Sequence, residues 1–194
     1  IDDLTSSSHQ GESYASLLKE IEEQRKELKI FIEAIIKDFD GTQYGDNALV
    51  NDDIFAILVL GEVGYLPDDI EIKKSIDFIL SKQKSNGSWE DSSDVTSASI
   101  QALASFQNVN GVTNSINLAG AYLQSMQQSD GGWGNVSSTS WVMQANNLTG
   151  QEWNINGKKG VDYLSNNQQA DGGLLGTNES LENRVWNTSY AIPG

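Results

Sequence analysis

The chain contains no cysteine, a single histidine and only two prolines in 194 residues. Without cysteine there is no disulfide framework. A zinc centre needs three or four His, Cys or carboxylate ligands, and the one imidazole, His9, stands in a polar leader. The run Asp38 to Gly41 faintly resembles a calcium loop. Its glycine falls at the fourth position, where such a loop requires the sixth, and no glutamate closes it. The inventory implies neither a metal nor a cofactor. No apolar run is long enough to cross a membrane. Basic residues are also scarce. With 12 Lys and Arg against 27 Asp and Glu, the formal net charge is −15. Such a surface repels phosphate backbones and anionic lipid surfaces, which argues against nucleic acid and against membrane insertion. The acids are spread out, as on a solvated face. Sustained alternation of apolar and polar residues, the mark of strands, is absent.

What the chain has is a motif that returns. Gln127-Gln128-Ser129-Asp130-Gly131-Gly132-Trp133 is its clearest copy. Gln83 to Trp89 precedes it and Gln168 to Leu174 follows it, with a worn copy at Lys37 to Thr42. The Asp or Asn anchors at 40, 86, 130 and 171 are 46, 44 and 41 residues apart. A period of this size means stacked supersecondary units. Ahead of each turn, apolar residues three and four apart predict a helix: Ile76, Ile79 and Leu80; Leu118, Tyr122 and Met126; Val161 and Leu164. After each turn a second helix is expected, opening at Asp52-Asp53, Thr96-Ser97, Thr139-Ser140 and Thr188-Ser189, residue types that suit helix starts. Polar loops return the chain at 61–69, 108–115 and 149–157. Residues 174–187 read as a longer insertion, where function tends to lie.

The Gln-x-x-Asp-Gly-Gly-Trp pattern, after an aromatic-bearing helix, resembles the QW repeat of squalene and oxidosqualene cyclases and of protein prenyltransferase β subunits. The resemblance covers roughly residues 27–194. It implies an all-α fold, an α/α toroid of inner and outer helices. This chain would supply an incomplete arc of about seven helices plus a long N-terminal helix. Six hairpins close such a ring, so the remainder would come from sequence beyond this chain. In that family Gln and Trp tie the outer helix to the turn, which makes Gln83, Trp89, Gln127, Trp133 and Gln168 structural. The cyclases protonate their substrate from Asp-x-Asp-Asp-Thr-Ala. Here the matching stretch is Ser92-Ser93-Asp94-Val95-Thr96-Ser97, which keeps only Asp94 and Thr96. Asp94 reads as a helix cap or, weakly, as a catalytic acid. The prenyltransferase zinc ligands and the reactive cysteine of related thioester domains have no counterpart.

Residues 1–12 read as a disordered polar leader and 13–194 as one repeat domain. Within the latter, Tyr14, Leu18, Ile21, Leu28, Ile32 and Ile35 form a heptad seam that Arg25 interrupts. The helix is an outer cover for the first hairpin or, alternatively, a route to self-association through residues 14–37. Candidate ligand-binding residues are those opening the inner helices: Asp52, Asp53, Asp91, Asp94, Trp141, Arg184, Trp186 and Tyr190. The three aromatics would wall a site for an apolar or sugar ligand. Three readings follow. One is a non-catalytic module that binds a small molecule, glycan or protein. Another is a cyclase-like, lyase or glycosidase enzyme using carboxylates such as Asp52 and Asp94. The third is a structural spacer. The missing motifs favour the first. Richness in Asn, Ser, Thr and Gly suggests an extracellular or cell-surface protein, and the lack of cysteine suits a bacterial or archaeal source. Asn-x-Ser/Thr sequons at 86, 135, 147, 178 and 187 are read as compositional.

Overall fold

The computed structural model describes residues 6–175 and 179–192. The start of the leader, residues 1–5, and the sequon at Asn178 lie outside the described residues. The chain divides into two compact units, Ile1–Asp40 and Gly41–Gly194. The first holds α1, Ser6–Lys37. This helix begins earlier than the Ser13 start that the apolar seam predicts. Gln10 and Glu12 are sound helix formers, and a polar first turn carries no periodic signal. Along it Tyr14, Leu18, Ile21 and Leu28 are exposed, and Lys29 pairs with Glu33 at 3.7 Å.

The second unit holds seven helices: α2 (Asn51–Glu62), α3 (Ile70–Lys82), α4 (Ser93–Ala104), α5 (Val112–Ser125), α6 (Val136–Thr149), α7 (Gly160–Asn167) and α8 (Leu181–Ala191). Among the described residues there is no β-strand, only isolated bridges in the turns. The even-numbered helices form an inner row in which α4 packs between α2 and α6, and α6 reaches α8. Each inner helix also packs on the outer helix that follows it, α3, α5 or α7. Ile54, Ile57 and Leu60 of α2 thereby bury against Ile72, Ile76 and Ile79 of α3, all fully inaccessible.

Each turn is built from the same bonds. The Gln carboxamide donates to the carbonyl four residues on: Gln83 to Gly87 at 2.9 Å, Gln127 to Gly131 at 2.9 Å and Gln168 to Gly172 at 3.0 Å. The anchoring Asn or Asp accepts from the backbone two residues on, as in Asn86 from Ser88, Asp130 from Gly132 and Asp171 from Gly173, each at 3.1 Å. These are Asx turns. The indole N–H of Trp89 donates to Ile79 O, and that of Trp133 to Leu123 O, both at 2.7 Å. Trp89 is 0% and Trp133 6% exposed. Each ring removes on the order of 200 Å² from water, about 5 kcal/mol of gross driving force at ~25 cal/mol/Å².

The inner helices start earlier than the Thr-Ser pairs suggest. Ser92, Asn135 and Ser180 are the caps, accepting from the backbone N–H of Val95 (3.3 Å), Ser138 (2.8 Å) and Asn183 (3.1 Å). Asp94 is therefore not a cap. It lies in the first turn of α4, where a carboxylate complements the helix dipole. The expected insertion over 174–187 is likewise shorter, because Ser180 starts α8 at Leu181.

Candidate functional site

The threonines inside the first turns do a different job. Trp89 N donates to Thr96 Oγ1 at 3.1 Å, Trp133 N to Thr139 Oγ1 at 2.9 Å, and Leu174 N to Thr188 Oγ1 at 3.0 Å. In the first repeat Tyr44 takes the place of Trp, and its N–H reaches Asp53 Oδ1 at 3.2 Å. Asp53 is fully buried. This bond places Asp53 in the turn-locking row and fixes the register across all four inner helices: Asp53, Thr96, Thr139 and Thr188 are equivalent.

Two residues further along in that register stand Phe55, Ala98, Trp141 and Tyr190. They form one row across the inner face. The rings of Phe55 and Trp141 meet edge to face at 6.2 Å, and those of Trp141 and Tyr190 lie 5.2 Å apart. Trp186, one turn before Tyr190 on α8, extends the row at 5.1 Å. Phe55 sits on α2 and Trp141 on α6, with α4 between them. Ala98 is the small residue in that register position on α4, 5% exposed, so the two rings close over it. The arrangement is braced along its back. Gln144 donates to Tyr190 O at 2.8 Å, and Gln101 to Trp141 O at 3.5 Å. Phe55 is 46% and Trp186 61% exposed, so the row shows aromatic surface to solvent.

The structure thus brings Trp141, Tyr190 and Trp186 together and adds Phe55. Phe55 was hidden by the worn first repeat, since only the Tyr44–Asp53 bond reveals its register. Asp94 lies one helical turn before Ala98 and so on the same face of α4. Its carboxylate has no hydrogen-bond partner among the described residues. The other charged candidates are occupied. Asp52 accepts from Asp46 N at 3.2 Å. Asp91 bonds Lys84, Asn86 and Ser88 in the second turn, and its carboxyl is held below the ordinary range chiefly by Lys84, then by Asn86. Arg184 donates to both oxygens of Asp171, at 2.7 and 2.8 Å. That guanidinium is the main cause of the lowered carboxyl pKa of Asp171, with the Gly173 N–H next. Asp52 and Asp94 occupy different register positions, so they do not form a symmetric pair of inner-row carboxylates. Among the described residues there is no cluster of three or more His, Cys, Asp or Glu that could hold a metal ion. No helix among them is long and apolar enough to cross a membrane.

The helix order, the turn chemistry and the register have a counterpart among known families. Residues 46–179 match the family model of the squalene-hopene cyclase C-terminal domain. The chain belongs to this family. A search of the curated proteins finds no match. As a squalene-hopene cyclase C-terminal-type domain, the chain carries the α/α toroid fold, and its inner row is the α2, α4, α6 and α8 face described above.

Proposed function

We propose that the inner-helix face is a non-catalytic binding surface for a ligand with a flat or extended C–H face, such as an isoprenoid chain or a sugar ring. The observation that carries this reading is the row Phe55, Trp141, Tyr190 and Trp186, a contiguous series of rings with exposed edges and faces. Aromatic surfaces take such ligands through apolar burial and C–H contact with the ring faces. Asp94 is the one acid of the cyclase motif that is kept. Ser92 serves as a helix cap where that motif has its first acid, and Val95 replaces the acid that would follow Asp94. Nothing on this face adds a second acid to Asp94, and proton donation to an alkene needs a tuned neighbourhood. Composition supports an extracellular or cell-surface setting, and a secretion assay on the complete gene tests it.

The test has two parts. Farnesol and a soluble cello-oligosaccharide are titrated against tryptophan emission for the wild type, Trp141→Ala and Trp186→Ala. Saturable change for one ligand, weakened at least tenfold in both variants, is the expected result. Squalene and farnesol incubations are then analysed for products. Cyclised product that disappears in Asp94→Asn, with thermal stability unchanged, would replace this reading with the enzyme reading that family membership favours. Equal titrations in all three proteins would remove the aromatic row from any binding role.

A further inference from the structure

The Gly-rich turns do more than reverse the chain, since each is a seat for the next outer helix. Gly87 has a left-handed φ of 90°, and a Cβ there would come within 2.3 Å of Leu118 O. Gly131, at φ 95°, is the same, with Lys159 O at 2.4 Å. Leu118 stands nine residues before Gln127, and Lys159 nine before Gln168. The two contacts are therefore one contact, repeated in register. In the first of them the motif glutamine also crosses over. Gln83 Nε2 donates to Ser115 O at 2.9 Å, and Ser115 Oγ donates to Gln83 Oε1 at 2.8 Å. In the second, α7 starts too late to offer an equivalent serine, and the buried Gln127 Oε1 is left without a partner.

The third seat has the same construction but no sitter among the described residues. Gly172, at φ 84°, has nothing within 4 Å of its would-be Cβ. Gln168 makes its bond to Gly172 O but is exposed, where Gln127 is 6% exposed. Beside them runs a groove of about 320 Å³ lined by Met143, Val161, Leu164, Leu174, Ala191 and Ile192. Its apolar rim residues Val161 and Ile192 are exposed.

We propose that this face docks one further α-helix of the outer-ring kind, supplied by a partner polypeptide. The register states its chemistry. A main-chain carbonyl of the helix lies against Gly172. A serine or threonine three residues earlier exchanges hydrogen bonds with the Gln168 carboxamide. Aliphatic side chains on the same face enter the groove. The site is separate from the aromatic row and stands whatever that row binds.

The probe is a peptide of residues 109–127 of this chain, which contains the sitter of the Gly87 seat. It is held helical by a lactam between Asn117→Glu and Ala121→Lys, both on the exposed side of α5, because an isolated helix of this length is marginal in water. Fluorescence anisotropy with the full chain should give saturable binding. A peptide carrying Ser115→Ala should bind about three- to tenfold more weakly, the loss expected for a hydrogen-bonded pair. Val161→Glu in the full chain, at an exposed position, should reduce binding at least tenfold with an unchanged melting temperature. Three results overturn the proposal: no binding at 1 mM peptide, binding indifferent to Val161→Glu, or equal binding of a scrambled peptide. Sedimentation supplies the last arm. Self-association of the chain that Val161→Glu abolishes would assign the face to a second copy instead.

Discussion

Replacing the turn-locking threonine by valine keeps the volume and β-branching of the side chain and deletes only the hydroxyl. The variants Thr96→Val, Thr139→Val and Thr188→Val make this change at equivalent places in three repeats. In the first two the stranded donor is the buried N–H of Trp89 or Trp133, and the threonine itself is fully buried. Leaving a buried donor unmade costs about 1–3 kcal/mol, because its desolvation is no longer offset. The new methyl returns part of that, roughly 0.5–1 kcal/mol from burying one carbon. A net loss of about 1–2 kcal/mol is expected for each. In the third repeat, Leu174 N and Thr188 are only partly buried. Water can replace the lost acceptor there, so the loss should stay below about 0.7 kcal/mol. Urea unfolding followed by tryptophan emission measures all three, compared through the midpoint at constant m-value. Thr188→Val as costly as Thr139→Val would refute the burial argument. Thr139→Val costing nothing would refute the role of the hydroxyl.

Ala98→Leu should destabilise by about 1–3 kcal/mol, since a larger side chain must push apart the Phe55 and Trp141 rings that close over it. Loss of near-ultraviolet dichroism from Trp141 would accompany this, and an unchanged spectrum would contradict the packing. Acid should release α8 from the fourth turn. The carboxyl of Asp171 is lowered by Arg184, so its folded pKa lies below the unfolded value of about 3.9. Its contribution is present above that pH and is lost as pH falls through the folded value. Trp186 emission on acidification should report the release, and Asp171→Asn should remove that acid transition.

The helices and their order were legible because the repeat carries two independent signals, the 3.6-residue stripe and the Gly-rich turn. Helix starts were less so. Serine, threonine and asparagine serve equally as caps and as acceptors inside the first turn, and sequence spacing does not separate the two uses. Thr96, Thr139 and Thr188 looked like caps, yet Ser92, Asn135 and Ser180 hold that place. The same ambiguity made residues 174–187 look like a long loop and left Arg184 as a candidate ligand-binding residue. Its partner, Asp171, is 13 residues away across the turn. Phe55 could not be seen because the first repeat has lost its glutamine and its tryptophan.

The fourfold register separates architecture from function without comparison to any other protein. At the turn-locking position the chain tolerates Asp53, Thr96, Thr139 and Thr188. These differ in charge but share an oxygen that accepts from one backbone N–H. At the preceding turn position it uses Tyr44, Trp89, Trp133 and Leu174, which share apolar bulk. Both rows keep one physical property through every repeat, as a scaffold must. Two residues further along, Phe55, Ala98, Trp141 and Tyr190 keep no single property. Three are aromatic, and the fourth is the smallest side chain that still has a Cβ. Stacking alone would ask the same of each repeat. The departure at Ala98 is what lets rings from α2 and α6 touch across α4. A row whose members differ so that their neighbours can meet is shaped as a surface. For that reason the search for a ligand belongs on this face, while the bonds of the Gln-to-Gly turns account for the fold.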